Sequence, residues 1–146
     1  MTTMTFVLPL SFTTPPLSLN KHMHHMKRAK IVRELRHEVV VRLRSQKVPR
    51  PAAHVSAQFH WRPKHNRVRD TDNLAPTIKP LIDALTPETP ARVRGKRLMQ
   101  AIPGYGLVPD DAPQYVTRPE AVIHPASSTS PRCWLELTIT YEETEQ

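Results

Sequence analysis

The stretch of sequence that decides the fold runs from Cys133 to Tyr141 and reads CWLELTITY. Its odd-numbered residues are apolar or aromatic, whereas the residues between them, Trp134 apart, are polar or charged. An alternation with a period of two is the pattern of a strand that buries one face. We therefore predict a half-buried strand over residues 133–141, which is the clearest element of the chain.

Two other segments alternate in the same way. Residues 55–61 predict a second half-buried strand, whose apolar residues share one face: Val55, Ala57, Phe59 and Trp61. Residues 6–10 predict a short first strand. Pro9 restricts this segment to an edge strand or to a strand end, because proline has no N–H to donate to a neighbouring strand.

Two segments have the spacing of helices. In residues 24–46, apolar side chains recur at intervals of three and four while the arginines lie largely off that stripe: Val32, Leu35, Val39 and Leu43. This pattern predicts a long helix that Pro49 brings to an end. A shorter helix is expected over residues 77–85, with Thr77 as its N-cap. Pro80 would then lie in the first turn, where a missing N–H costs nothing.

The length and composition predict one domain with short elements. The 146 residues are expected to form a single domain over residues 1–146. Proline is abundant at 16 residues and glycine scarce at 3, so we expect stiff loops, and residues 86–109 are predicted to form a basic loop. Together the segments predict an α+β fold, with a mixed β-sheet of about four to six strands and one long and one short helix packed against it.

Several classes of protein are excluded by what the sequence lacks. Cys133 is the only cysteine, which excludes an internal disulfide framework and a cysteine-rich zinc site. No stretch approaches the roughly 18 consecutive apolar residues of a membrane span, and the uncharged residues 1–20 lack the basic start of a signal peptide. We therefore expect a soluble, cytoplasmic protein with no membrane partner.

The charge of the chain indicates a polyanionic partner. The formal net charge is +8, and residues 21–69 contain 14 Lys and Arg against only Glu34 and Glu38. A basic, arginine-weighted surface is typical of proteins that bind nucleic acid through its phosphates. We expect the residues that contact DNA to include Lys21, Lys27, Arg28, Arg67, Arg69, Arg94, Lys96 and Arg97.

The five aspartates are confined to residues 70–111, and Asp70 and Asp72 are only two apart. If an extended strand continued to this point, both carboxylates would leave the same face and could share a hard cation. The alternative is an ordinary Asp-Thr-Asp-Asn turn, which is favoured for this segment taken alone because Asp and Asn are common turn residues. Asp83 likewise has a plain interpretation as the i,i+4 ion-pair partner of Lys79.

Four short motifs stand between the opening and closing strands in a specific order. They are PPLSLNK at residues 15–21, RDTDNL at 69–74, KPLIDAL at 79–85 and GLVPDD at 106–111. In this order the chain resembles, over nearly its whole length, the RusA-type Holliday-junction resolvases, especially the proline-rich versions of actinobacteria and their phages. The resemblance implies a homodimeric, Mg²⁺-dependent endodeoxyribonuclease. Such an enzyme resolves four-way DNA junctions by paired nicks in DNA recombination and repair.

The resemblance also implies roles for individual residues. Asp70, Asp72 and Asp111 match the catalytic acids and would hold the Mg²⁺, which Mn²⁺ could replace. Lys79 matches the catalytic lysine and would either contact the scissile phosphate or orient the attacking water. Supporting positions around the metal are expected for Asn73, Asp83 and Asp110.

A second class of function stays open at this point. A non-catalytic basic protein could bind DNA or DNA junctions and use the aspartates only as turn and cap residues, and a resolvase could have lost cleavage. The acidic cluster favours the nuclease, because a surface that only binds phosphates has no use for carboxylates. Structural interpretations are favoured for the other distinctive residues. They are His22, His24 and His25 as surface residues, Trp61 and Trp134 as core residues, and Cys133 as a packing residue.

Overall fold

A mixed sheet of five strands lies at the centre of the protein. The structure is a computed structural model, and it describes residues 1–143. In chain order the elements are β1 (Thr2–Leu10), α1 (His25–Ser45), β2 (His54–Trp61), a 3₁₀ helix (Thr71–Leu74), α2 (Ala75–Asp83), β3 (Pro87–Thr89), β4 (Arg92–Arg94), β5 (Arg97–Met99), β6 (Ile102–Tyr105), β7 (Val116–Thr117), β8 (Val122–Ile123) and β9 (Cys133–Tyr141).

Strand β9 lies between two antiparallel neighbours, β1 and β2, while β7 and β8 pair in parallel with β2. The register places Leu135 of β9 opposite both Leu8 and Phe59, and all three side chains are fully buried. The predicted α+β fold with a mixed sheet and the two half-buried strands is confirmed. Strand β1 is an edge strand, as Pro9 predicts, but it is nine residues long rather than short.

Helix α1 packs against β1, β6 and α2, and the apolar stripe predicted for it faces this contact. Leu35, Val39 and Leu43 are buried, whereas Val32 is only partly covered. The helix ends before Pro49 is reached. Lys47 has a left-handed backbone with φ 53°, and the amide of Val48 donates to the carbonyl of Leu43 at 3.1 Å. This is a Schellman cap, which stops the helix without a glycine.

The start of α2 differs from the prediction. The helix begins at Ala75, directly after the 3₁₀ helix, so Thr77 is not its N-cap and Pro80 lies in its interior. Pro76 occupies the first turn instead. The hydroxyl of Thr77 is fully buried, where it donates to the carbonyl of Leu17 at 2.8 Å and accepts from the Leu17 amide at 3.0 Å. Thr77 therefore anchors the loop after β1.

Residues 86–109 are not the loop that was predicted. Strand β3 pairs with β6, and β4 pairs with β5, in two separate two-stranded sheets. The glycines that signalled a loop lie at positions that these hairpins need. Gly95 has φ +64° in the β4–β5 turn, and a Cβ on Gly104 would lie 2.3 Å from the carbonyl oxygen of Thr86.

Among the described residues 1–143, neither α1 nor α2 has a stretch that is both long enough and apolar enough to span a bilayer.

The Thr77→Val substitution tests the buried anchor. Valine keeps the shape of the side chain but leaves the buried amide and carbonyl of Leu17 without partners, so we expect a loss of about 1–3 kcal/mol in the free energy of unfolding. Urea denaturation measures it. The matched control is Thr5→Val on the exposed part of β1, where a change within about 0.5 kcal/mol is expected. Equal effects at the two positions would contradict the assignment of Thr77.

Candidate functional site

The ammonium group of Lys79 is the centre of the candidate site. It donates to Oδ1 of Asp83 at 2.8 Å and to Oδ2 of Asp111 at 3.2 Å. The guanidinium of Arg118 donates to the same oxygen of Asp111 at 2.9 Å. The i,i+4 pair of Lys79 and Asp83 is thus present as the sequence indicated, and the fold extends it into a chain of four alternating charges.

Main-chain hydrogen bonds place Asp111 beside α2. The carbonyl of Leu85, just after the helix, accepts from the amides of Leu107 at 2.8 Å and Val108 at 3.2 Å. Leu107 and Val108 are buried, so the following Pro-Asp-Asp turn starts from a fixed point. Asp110 closes that turn, because its Oδ1 accepts from the amide of Ala112 at 2.8 Å.

The ion pairs fix the charges of the site. The hydrogen bond and charge of Lys79, supported by Arg118, lower the pKa of Asp111 below its ordinary value. The hydrogen bond to Asp83, with a further contribution from Asp111, raises the pKa of Lys79. Lys79 is therefore a permanent cation at neutral pH and cannot serve as a general base. The side chains of Lys79 and Asp111 are 55% and 41% exposed, so this electrostatic stabilisation is screened by water.

The two aspartates of the RDTDNL motif are arranged by a cap rather than by a strand. Asp70 is the N-cap of the 3₁₀ helix, and its Oδ1 accepts from the amide of Asp72 at 2.9 Å. Asp72 lies inside that helix. The expectation that an extended strand carries both carboxylates on one face is therefore wrong, because the chain turns at Asp70. The local geometry of Asp70 is that of the turn alternative.

The predicted acids line three different surface pockets. Asp72 and Lys79 share a pocket of about 260 Å³ with Arg118. Asp83, Asp110 and Asp111 line another of about 260 Å³ with Arg36. Asp70 and Asn73 line one of about 440 Å³ with Arg67 and Arg69.

The fold therefore joins Asp83 and Asp111 through Lys79, whereas Asp70 and Asn73 line a different pocket. Carboxylate oxygens suit Mg²⁺. Among residues 1–143, however, no three His, Cys, Asp or Glu side chains converge as a metal ion would require. The arrangement described does not fit the metal, and the ligand set of Asp70, Asp72 and Asp111 stays a prediction.

The predicted DNA-binding residues occupy three places on the surface. Lys21, Lys27 and Arg28 are exposed around the start of α1, and Arg67 is exposed in the loop after β2. Arg69 lies with its guanidinium 4.9 Å from the centre of the Trp61 ring. The third place is the β4–β5 hairpin, on which three further predicted residues are exposed: Arg94, Lys96 and Arg97.

Arg118 is the site residue that sequence reasoning missed. It follows Asp111 by seven positions and belongs to none of the motifs, so it gave no signal in the sequence. Arg36 was missed as well, since its position on α1 indicated only a solvated face. Its Nε donates to the carbonyl of Pro103 at 2.7 Å, which brings it to the pocket of Asp83.

A second polar cluster lies on the face of the sheet opposite the core. Nδ1 of His60 and Nε2 of His124 are 2.9 Å apart, and the ring of Trp134 stacks on both histidines. The guanidinium of Arg62 lies 4.3 Å from the centre of the Trp134 ring. Trp61 belongs to the core as predicted, whereas Trp134 is buried by this stack instead.

No protein-family model matches the chain, and a search of the curated proteins finds no match.

Titration of Asp111 tests the ion network. Replacing Lys79 by Met should raise the pKa of Asp111 towards its ordinary value, because Lys79 is the main cause of the shift. Arg118→Gln should raise it less. Carboxyl-carbon NMR across the acidic range measures both. The stability that Asp111 contributes is present above its pKa in the unfolded chain and is lost as the pH falls through its lower folded value. An Asp111 pKa that stays the same in Lys79→Met would contradict the network.

The stability of the protein should also depend on His60. Burial lowers the pKa of His60, and its Nε2 is buried with no hydrogen-bond partner among residues 1–143. Protonation therefore favours the unfolded chain, so the free energy of unfolding should decrease as the pH falls from about 7 to 5. His60→Gln removes the titrating ring and should flatten this slope in pH-dependent denaturation. His65→Gln, at an exposed position, is the control. If the slope is as steep in His60→Gln as in the wild type, the assignment fails.

Proposed function

We propose that the protein is a structure-selective endodeoxyribonuclease that binds four-way DNA junctions and nicks them in DNA recombination and repair. The observation that carries the proposal is the exposed Lys79, which is held between Asp83 and Asp111 beside the pocket that contains Asp72. Three of the four motifs behind the resemblance to RusA-type resolvases supply these residues. Action as a homodimer is part of the proposal and rests on that resemblance.

The ion network suits a phosphodiester substrate. Hydrolysis of a phosphodiester requires the negative charge that develops on the phosphate to be neutralised. Lys79 and Arg118 present two fixed cations around one carboxylate, so an incoming phosphate can replace Asp111 as their partner. Because Lys79 stays protonated, its role is to contact the phosphate or to donate a hydrogen bond to the attacking water.

The requirement for Mg²⁺ or Mn²⁺ enters the proposal from the resemblance. No step is assigned to the cation, because the predicted ligands do not converge in the described residues. Metal dependence is therefore measured separately, by comparing junction cleavage in Mg²⁺, in Mn²⁺ and in EDTA.

A second candidate function is junction binding without cleavage. Two observations favour it: Asp111 is already neutralised by two cations, and Asp70 is used as a helix cap. In this case the acids would shape the surface and the cations would bind phosphates. The two candidates differ in whether strands are cut.

The first test uses a labelled four-way junction with Mg²⁺, with Mn²⁺ and with EDTA, and reads nicks on a denaturing gel. The endonuclease predicts nicks in the presence of metal and none with EDTA. Binding without nicks under all three conditions would replace it by the second candidate.

The Asp72→Asn substitution separates binding from chemistry. The resemblance gives Asp72 as a ligand of the Mg²⁺, and asparagine keeps the shape of this side chain without its charge, so cleavage should fall by at least about 100-fold. Junction affinity should hold or rise, because one negative charge that would face the DNA phosphates is removed. Nicking rates and fluorescence anisotropy measure the two effects. Glu142→Gln, which removes a charge from an exposed residue at the end of β9, is the matched control and should leave both unchanged. A folded Asp72→Asn protein that nicks at the wild-type rate would remove Asp72 from the site.

A further inference from the structure

The hairpin of β4 and β5 stands apart from the two sheets around it. Its strands pair only with each other, with Arg92 opposite Met99, Val93 opposite Leu98 and Arg94 opposite Arg97. Gly95, with φ +64°, is the first of two residues in the turn, as in a type II′ turn. All residues from Arg92 to Leu98 are exposed.

The two faces of this hairpin have different chemistry. Paired residues share a face and successive pairs alternate, so Val93 and Leu98 lie on one face. Arg92, Arg94 and Arg97 lie on the other face together with the partly buried Met99. Val93 is 72% exposed and Leu98 is 70% exposed. Four of the eight residues from 92 to 99 are Lys or Arg, and none is acidic. The hairpin is thus a ribbon with a cationic face and an apolar face.

In the described part of the chain, no other strand pairs with β4 or β5 to support this arrangement. An isolated two-stranded hairpin is marginally stable in water, and like charges directly opposite each other, such as Arg94 and Arg97, destabilise it. The apolar pair gains little because it stays in solvent. A polyanion on the cationic face removes the repulsion, and a partner with an apolar surface covers Val93 and Leu98.

We propose that the β4–β5 hairpin is a DNA-binding arm that lies in a groove at the branch point of the junction. Its arginine face contacts phosphates, and Val93 and Leu98 pack against bases that the branch leaves unstacked. The major groove is about 12 Å wide and admits a two-stranded ribbon. The absence of acidic residues in the hairpin and its exposed apolar pair are the features that such a partner matches. The proposal rests on DNA as the partner in the proposed function, and it does not depend on cleavage.

The faces should contribute in different ways. Phosphate contacts give affinity without regard to structure and make binding depend on salt. An apolar side chain that packs against a base face in a continuous duplex must first unstack a base step, at a cost of a few kcal/mol, whereas at a branch point unstacked faces are already available. Arginine substitutions should therefore weaken binding to junction and duplex alike, whereas substitutions of the apolar pair should lower the preference for the junction.

The experiment compares two double variants with the wild type by fluorescence anisotropy in EDTA, on a junction and on a duplex of the same sequence. For Arg94→Gln with Arg97→Gln, the slope of log K against log salt between about 50 and 200 mM should become shallower by about 1.8. For Val93→Thr with Leu98→Thr, the slope should stay the same. In this same variant, the ratio of the affinity for the junction to the affinity for the duplex should fall by about tenfold.

Matched controls lie outside the hairpin. Arg44→Gln with Lys47→Gln removes two charges near the end of α1 and should change the slope by much less. Val7→Thr replaces a valine of β1 that is 46% exposed and should leave the junction preference intact. Thermal unfolding checks that every variant is folded. Because the hairpin makes no contribution to the core, its variants should unfold at the wild-type temperature.

Several results would overturn the inference. A salt slope that responds equally to the arginine variant and to the α1 control would mean that net charge matters and the hairpin does not. An unchanged junction preference in the apolar variant would remove the base contact. Loss of dimer mass in the hairpin variants, with DNA binding intact, would assign the apolar pair to a second copy of the chain.

The inference and the proposed function can fail separately. If the wild type never nicks a junction but the hairpin variants lose DNA affinity as described, the DNA-binding arm is supported and the endonuclease activity is contradicted. If the wild type nicks junctions and the hairpin variants bind DNA with wild-type affinity, the endonuclease activity is supported and the DNA-binding arm is contradicted.

Discussion

The pairing of β9 with two antiparallel neighbours is the constraint on which the rest of the structure depends. Leu135, Leu137 and Ile139 are fully buried, and each stands opposite a residue of β1 and a residue of β2. A fully buried leucine or isoleucine contributes about 1.5–3 kcal/mol, so this one strand accounts for a large share of the marginal stability of a domain. Because the register is fixed by these contacts, the loops that leave β2 and return to β9 are fixed at their ends.

The candidate site is built where this rigid frame meets a short helix. Main-chain bonds from residues 105–108 to the end of α2 bring an aspartate of one loop to a lysine of the helix. The resulting network of two carboxylates and two cations is partly exposed and has a formal charge of zero. Such a network is exchangeable, because an anion from outside can take the place of a carboxylate. This property suits a phosphate-binding surface whether or not the chain cleaves its substrate.

Most of the exposed basic residues of the protein lie on α1, on the loop after β2 and on the β4–β5 hairpin. The start of α1 and the loop after β2 are joined to the core, whereas the β4–β5 hairpin stands on its own. Under the proposed function, the cations of α1 and of the loop after β2 would contact the regular arms of a branched DNA, and the hairpin would contact its irregular centre.

The sequence by itself determined the elements whose side chains alternate between a buried and an exposed face. The strand at Cys133–Tyr141 and the long helix followed directly from their periodicity, because burial of one face imposes that period on the residues. The pair of Lys79 and Asp83 was equally local, since one helical turn brings them together. The tertiary structure decided the rest. It showed that Asp70 caps a 3₁₀ helix and that Arg118 forms an ion pair with Asp111. It also showed that residues 86–109, despite their prolines and glycines, form two pairs of strands. It also decided the contacts between distant segments, such as Lys79 with Asp111 across 32 residues and Thr77 with Leu17 across 60, which no local pattern encodes.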